Sequence, residues 1–302
     1  MRLVLSFLLV GSIAAVAGPA SPPPSVVHRL AADASGIFAN AYLVEAPKGV
    51  VVVDGRLLTS EGKAVRARIE SLGKPLLAVL VTHGHPDHYN GITEIVAGAD
   101  VPVLATAGVD RVIREYDAAK EKQWAATFGP DWPVKRTFPN RIVKDGESVA
   151  FGGLSFTVHD LGPGESHSDS YWTTDLDEGQ VAFIGDAVLE GVHAYLSDGH
   201  STAWLANLDR LGRDLTRAVQ IYPGHGQPGG LELLAGQKAY LEKYRAAVAD
   251  LARTQPRLSD EQKKELVARV KAARPTDRLE FLIPLGADPV AAELAGERKA
   301  AR

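Results

Sequence analysis

The chain has 302 residues, 45% hydrophobic and 23% charged, which is enough to bury a large core and ordinary for a soluble globular protein. Lys plus Arg number 33 against 37 Asp plus Glu, a formal charge of -4, so no basic field invites nucleic acid and no acidic run suggests a solvating tail. The absence of cysteine excludes disulfides and thiolate chemistry, so any metal site has to be built from imidazole and carboxylate.

At the amino terminus, Arg2 precedes an apolar run from Leu3 to Leu9 that continues from Val10 into Ala15-Val16-Ala17. This reads as a signal peptide over residues 1–17, with cleavage near Ala17 or Ala20. The run is shorter than the about 20 apolar residues a membrane span needs, so a stable membrane anchor is not expected and the expected location is periplasmic or secreted. Residues 18–25, with Pro19 and Pro22 to Pro24, read as a Pro-rich lead, and residues 26–302 as a single domain with a helical C-terminal segment.

Within that domain, Phe38 to Glu45 and Val50 to Val53 form two β-type runs around the turn signal Pro47-Lys48-Gly49, which predicts a hairpin. Ser60 to Leu72 carries Ala64, Val65, Ile69 and Leu72 on one helical face, with Gly73 just past its end. Leu76 to Val81 is a continuous apolar run, as in a buried strand, and leads straight to His83. Further on, Ser148 to Val158 predicts two strands around Phe151-Gly152-Gly153, and Tyr171 to Thr174 another. Val181 to Ile184 reads as a buried strand entering Gly185-Asp186, and Val219 to Tyr222 as a strand ending at Pro223-Gly224-His225. Helices are expected over Thr202 to Leu215, Leu231 to Arg253 and Ser259 to Ala273, the last opened by a cap at Ser259 with Gln262 three residues on. The stretch after Ala273 is expected to be peripheral and to fray.

The strongest local signal is His83-Gly84-His85-Pro86-Asp87-His88. Four potential ligands lie within six residues, and the Gly and Pro between them force the backbone to turn, so they can face one centre as a straight strand could not. Clustered imidazoles of this kind serve metal binding or proton transfer. His28, His159, His193 and His200 have no such company and read as ordinary, although His193 and His200 follow Asp186 closely enough to reach the mouth of a site.

These residues resemble the metallo-β-lactamase superfamily, whose HxHxDH motif is matched without a gap by His83, His85, Asp87 and His88. Later motifs of that family find places in the expected order at His167, within Gly164-Glu165-Ser166-His167-Ser168, at Asp186 and at His225. The resemblance implies an α+β fold, a four-layer αβ/βα sandwich with the ligands at a common edge of two sheets. It also implies two zinc ions, or iron or manganese in their place. His83, His85 and His167 would hold one, Asp87, His88 and His225 the other, and Asp186 would bridge them. A metal-bridging hydroxide would attack the substrate, with Asp87 the catalytic residue that orients it or carries a proton to the leaving group. An aspartate at the bridging position resembles the glyoxalase II, lactonase and arylsulfatase-like branches, where many β-lactamases have cysteine or serine. The expected activity is hydrolysis of an ester, thioester or lactone in a small-molecule substrate. The alternatives are β-lactam hydrolysis, a non-catalytic metal-binding protein of the same fold, and iron-dependent redox chemistry in the same cage. Neither a nucleic-acid partner nor a particular oligomeric state is implied.

Overall fold

The computed structural model describes residues 25–300, so the expected signal peptide lies outside the described residues. The first half runs β1 (Val26–Ala31), β2 (Asn40–Ala46), β3 (Gly49–Val53), α1 (Thr59–Ser71), β4 (Leu76–Leu80), α2 (Pro86–Tyr89), α3 (Ile92–Val96), β5 (Val103–Thr106), α4 (Ala107–Phe128) and β6 (Arg141–Val143). The second runs β7 (Ser148–Phe151), β8 (Leu154–Gly162), β9 (Asp169–Leu176), β10 (Gly179–Leu189), α5 (Ser201–Asp214), β11 (Ala218–His225), α6 (Glu232–Ala252), α7 (Asp260–Ala273), a 3-10 helix (Glu280–Gly286) and α8 (Ala287–Ala300).

The strands form two mixed sheets, one ordered β1-β2-β3-β4-β5-β6 and the other β11-β10-β9-β8-β7. The expected hairpin is the antiparallel β2–β3 pair, while β3, β4, β5 and β6 run parallel because helices return the chain between each successive two. Alternation along the strands decides which face each residue serves. Val51 and Val53 of β3 point toward the second sheet and pack with Phe156, Trp172 and Phe183, whereas Val50 and Val52 point the other way, into the layer that holds Val65, Ile69 and Ile113. The outer face of the second sheet, with Ala182 and Ile184, is covered by Trp204, Leu208, Leu241 and Tyr244. The result is the expected four-layer αβ/βα sandwich, closed on both outer faces by helices.

Two features differ from the sequence expectations. The segment after Ala273 does not fray into the surroundings: Ile283, Ala287 and Val290 are fully buried. It is tied down by the Tyr244 hydroxyl, which donates to the Ile283 carbonyl at 2.5 Å, and by Arg274, which donates to the Val192 carbonyl at 2.7 Å. The long helix α4 is the other addition. Only its first turns are anchored in the core, through Val109, Val112 and Ile113, and its remaining length lies over the cleft described below. Among the described residues, no helix is long and apolar enough to cross a membrane.

Candidate metal centre

Two strand ends, the interior of a third strand and two turns deliver the polar side chains to one place. β4 runs out into Thr82 and His83, and Pro86 then opens α2 with His85 as its cap, so that Asp87 and His88 fall in the first helical turn. β10 carries Asp186, and the parallel partner β11 ends at His225. The close approach of these strands depends on glycine. A Cβ at Gly224 would lie 1.8 Å from Asp186 Oδ1, and Gly185 takes a left-handed φ of 51° where a Cβ would meet the Thr82 hydroxyl at 2.4 Å.

The side chains form two adjoining groups. In the first, Glu165 Oε2 lies 3.5 Å from His83 Nε2 and 2.9 Å from His85 Nδ1. In the second, His225 Nε2 lies 3.1 Å from Asp87 Oδ2 and 3.3 Å from Asp186 Oδ2, and His88 Nε2 lies 3.4 Å from Asp87 and 3.3 Å from Asp186. Asp186 also reaches toward the first group, 4.0 Å from His83 Nε2. All seven side chains are buried.

Several of their polar atoms have no hydrogen-bond partner among the described residues: His83 Nε2, His88 Nε2, Asp186 Oδ1 and Glu165 Oε1. A buried polar atom without a partner costs about 1–3 kcal/mol, more if charged, so a cluster of them gathered on one space is expensive unless something binds there. A donor set of imidazoles and carboxylates within 4.8 Å of one another suits a divalent cation.

The electrostatics point the same way. Burial opposes the charge on Asp186 and Asp87, yet the imidazoles of His225 and His88 hold both carboxyls below the usual range. Burial likewise opposes charging His225 and His88, and the same carboxylates overcome it, raising His88 well above its ordinary value and His225 to about 10. His83, dominated by burial and by His88 beside it, is held well below its ordinary value and stays neutral. Burial pushes Glu165 up to about 8 against the pull of His85. Without a metal, protonated His88 and His225 offset the carboxylate charge, and a metal would displace their second protons.

A surrounding layer fixes these rings. Asp54, in a left-handed conformation with φ 63° at the end of β3, accepts from the Thr82 backbone at 2.9 Å and lies 2.8 Å from His88 Nδ1. That contact turns His88 Nε2 toward the centre. Asp198 does the same for His85, lying 3.0 Å from Nε2 and leaving Nδ1 to face Glu165. Such carboxylate–imidazole pairs set both tautomer and ring orientation in metal sites. Glu165 itself is positioned by Asp169, whose carboxylate accepts from the Glu165 and Ser166 backbone N–H groups at 2.6 and 3.1 Å and from the Ser166 hydroxyl at 2.5 Å.

The structure therefore brings together His83, His85, Asp87, His88, Asp186 and His225, and places His167 outside both groups. The tight turn that Asp169 organises presents Glu165 inward. His167, two residues later, stacks on Tyr116 and lies 2.8 Å from His200 Nε2 through its Nδ1. Of the remaining histidines, His28 pairs with Glu45, His159 stacks on Tyr171, and His193 lines the cleft while held by the Thr276 carbonyl. Sequence reasoning missed Glu165, Asp54 and Asp198. Asp54 carried a signal, a Val-Asp-Gly at a strand end that parallels the Gly-Asp at Asp186, whereas Asp198 sits in a loop with none.

The family model of the metallo-beta-lactamase superfamily matches residues 34–225. A hydroxyacylglutathione hydrolase of Albidiferax ferrireducens is 25% identical over 173 residues, covering 56% of this chain and 55% of that protein. A linear primary-alkylsulfatase of a Pseudomonas species is 35% identical over 60 residues, 20% of this chain and 11% of that protein. The chain thus spans about half the length, or less, of these curated relatives. Among solved structures, a metallo-beta-lactamase family protein from Thermus thermophilus superposes with a TM-score of 0.64 at 23% identity, covering 91% of this chain and 94% of that one, a likeness of fold.

Proposed function

This chain belongs to the metallo-beta-lactamase superfamily, and we propose that it is a metal-dependent hydrolase acting on an ester, thioester or lactone of a small-molecule substrate. The observation that carries this reading is the pair of adjoining histidine–carboxylate groups with Asp186 between them. His83, His85 and Glu165 would hold one divalent metal and Asp87, His88 and His225 a second, with Asp186 facing both; zinc suits this donor set, with iron or manganese as substitutes. When bound, such ions polarise a carbonyl and lower the pKa of water.

The chain's own residues supply the rest. Asp54 and Asp198 keep His88 and His85 in the orientation that ligation requires. The Asp87 carboxylate lines the cleft and would take a proton from an attacking water and hand it to the leaving group. The apolar side chains of the cleft would limit competing water around a bound substrate. Of the relatives, the hydroxyacylglutathione hydrolase supports a thioester or ester, and the alkylsulfatase supports a second reading, hydrolysis of a sulfate ester. The apolar run from Leu3 to Ala17 supports export to the periplasm or beyond.

The test is turnover of a panel of chromogenic carboxyl esters, thioesters, lactones, sulfate esters and a β-lactam by metal-loaded protein, before and after chelation. Chelator-sensitive hydrolysis of a carbonyl substrate is expected. Full metal content with no turnover across the panel would overturn the reading, and activity on sulfate esters alone would replace it with the second.

A further inference from the structure

One wall of the cleft is unlike its floor. Next to the metal centre lies a small apolar cluster, separate from the sandwich cores, in which Leu57 and Trp132 are buried and Trp124 and Phe128 are packed against them. Phe128 stacks on Trp132 with ring centroids 5.9 Å apart, and Trp124 stands edge-on to Phe281 at 6.3 Å. Phe281, at the mouth, is 51% exposed. Together with Leu282 these rings make an apolar slot that shares the cleft with His85, Asp87, Glu165 and Asp186.

At the junction of slot and centre sits Lys120. Its ammonium is buried, 3.2 Å from the Tyr195 hydroxyl, 3.5 Å from Asp198 Oδ1, and over the Tyr195 ring at 4.6 Å. An ammonium carries three donors, and two long contacts leave capacity for an oxygen in the cleft. Lys120, Trp124 and Phe128 follow one another at i, i+4 and i+8 on α4 and all line the cleft. At 1.5 Å per residue the stripe from cation to outer ring runs about 12 Å, the reach of a medium-length alkyl chain. A helix with a buried cation at one end of its exposed stripe and aromatic rings at the other matches a ligand with a charged head and a hydrocarbon tail.

We infer that the substrate is a linear amphiphile, its hydrocarbon tail in the Trp124–Phe128–Phe281 slot and its oxygen-rich head against Lys120 beside the metal centre. This rests on the hydrolase reading for turnover, but the binding it describes does not need catalysis. The shared chemistry is a tail with an anionic oxygen head, which a sulfate ester supplies as substrate and a carboxylate as the product of carbonyl-ester hydrolysis.

The experiment titrates chelator-treated protein with hexanoate, octanoate and decanoate, and separately with hexyl, octyl and decyl sulfate, below their self-association concentrations, following tryptophan fluorescence. A saturable change is expected, with Kd tightening about fourfold per methylene, the ratio that burying one methylene gives. The head preference identifies the source, carboxylate or sulfate. Trp124→Ala should flatten the chain-length gradient. Lys120→Met should weaken octanoate or octyl sulfate about tenfold while octanol binds as before. No dependence of Kd on chain length in the unsubstituted protein overturns the inference, whether or not the variants fold. So does a gradient that survives both Trp124→Ala and Phe281→Ala. A gradient in binding with no hydrolysis of any panel substrate sinks the hydrolase reading alone, and chelator-sensitive hydrolysis with no gradient sinks the amphiphile alone.

Discussion

The floor of the cleft is assembled from strand ends and held by close neighbours on every side: Asp54 behind His88, Asp198 behind His85, Asp169 behind Glu165 and Gly224 under Asp186. The aromatic wall comes instead from the second half of α4 and the 3-10 helix after α7, and Phe281 is half open to solvent. The difference separates two tasks. Ligands must be fixed to within a fraction of an ångström, and only a rigid, buried lattice of hydrogen bonds does that. A hydrocarbon needs area and tolerates movement, so helix and turn residues serve. Substitutions in the floor should therefore act on metal and rate together, and those in the wall on substrate choice.

The largest effect is expected at Asp186, among the described residues the carboxylate that faces both groups. Asp186→Ala should lower metal content and cut kcat/KM by roughly a thousandfold or more, measured by elemental analysis and steady-state kinetics on the same preparation. Normal metal content with full activity would remove Asp186 from the centre. Next in size is a pH effect confined to the floor. Metal ligation needs Glu165 ionised and His88 and His225 free of their second protons, whereas in the metal-free protein burial puts Glu165 at about 8 and the neighbouring carboxylates raise His88 and His225. Binding must therefore expel protons, and affinity should rise by about tenfold per pH unit for each proton released, as the pH climbs through about 8 for Glu165 and on toward about 10 for His225. Metal titrations at several pH values, with proton release followed by a pH indicator, check this; an affinity that does not change would contradict the assigned protonation states. The wall variants stand at the small end, changing chain-length preference by a few fold per methylene.

Much of the floor could be read before folding because its ligands sit at sequence signals with a physical cause. Buried parallel strands announce themselves as apolar runs, and a Gly, Pro or Asp at their ends marks where the backbone turns to present a side chain. His83 to His88 and His225 lie at such points, Asp186 follows Gly185 inside the longer β10, and the structure gathers them. The turn at 164–168 was harder: two potential ligands, Glu165 and His167, stand two residues apart, and only the hydrogen bonds from the Glu165 and Ser166 backbone to Asp169 decide which faces inward. The wall was not legible. Past its first turns α4 lacks a continuous core-facing stripe, since Trp124 and Phe128 belong to the cleft, and the 3-10 helix at Glu280–Gly286 has no helical period at all. The cap of α7 was legible to the residue, with Ser259 and Gln262 forming the expected box.

The most direct test of the proposed centre is the metal stoichiometry of Glu165→Ala beside His167→Ala, each prepared and loaded identically. The two histidine–carboxylate groups predict about two ions in the unsubstituted chain, loss of the ion held with His83 and His85 in Glu165→Ala, and retention of both in His167→Ala. Full occupancy in Glu165→Ala together with loss in His167→Ala would contradict that assignment.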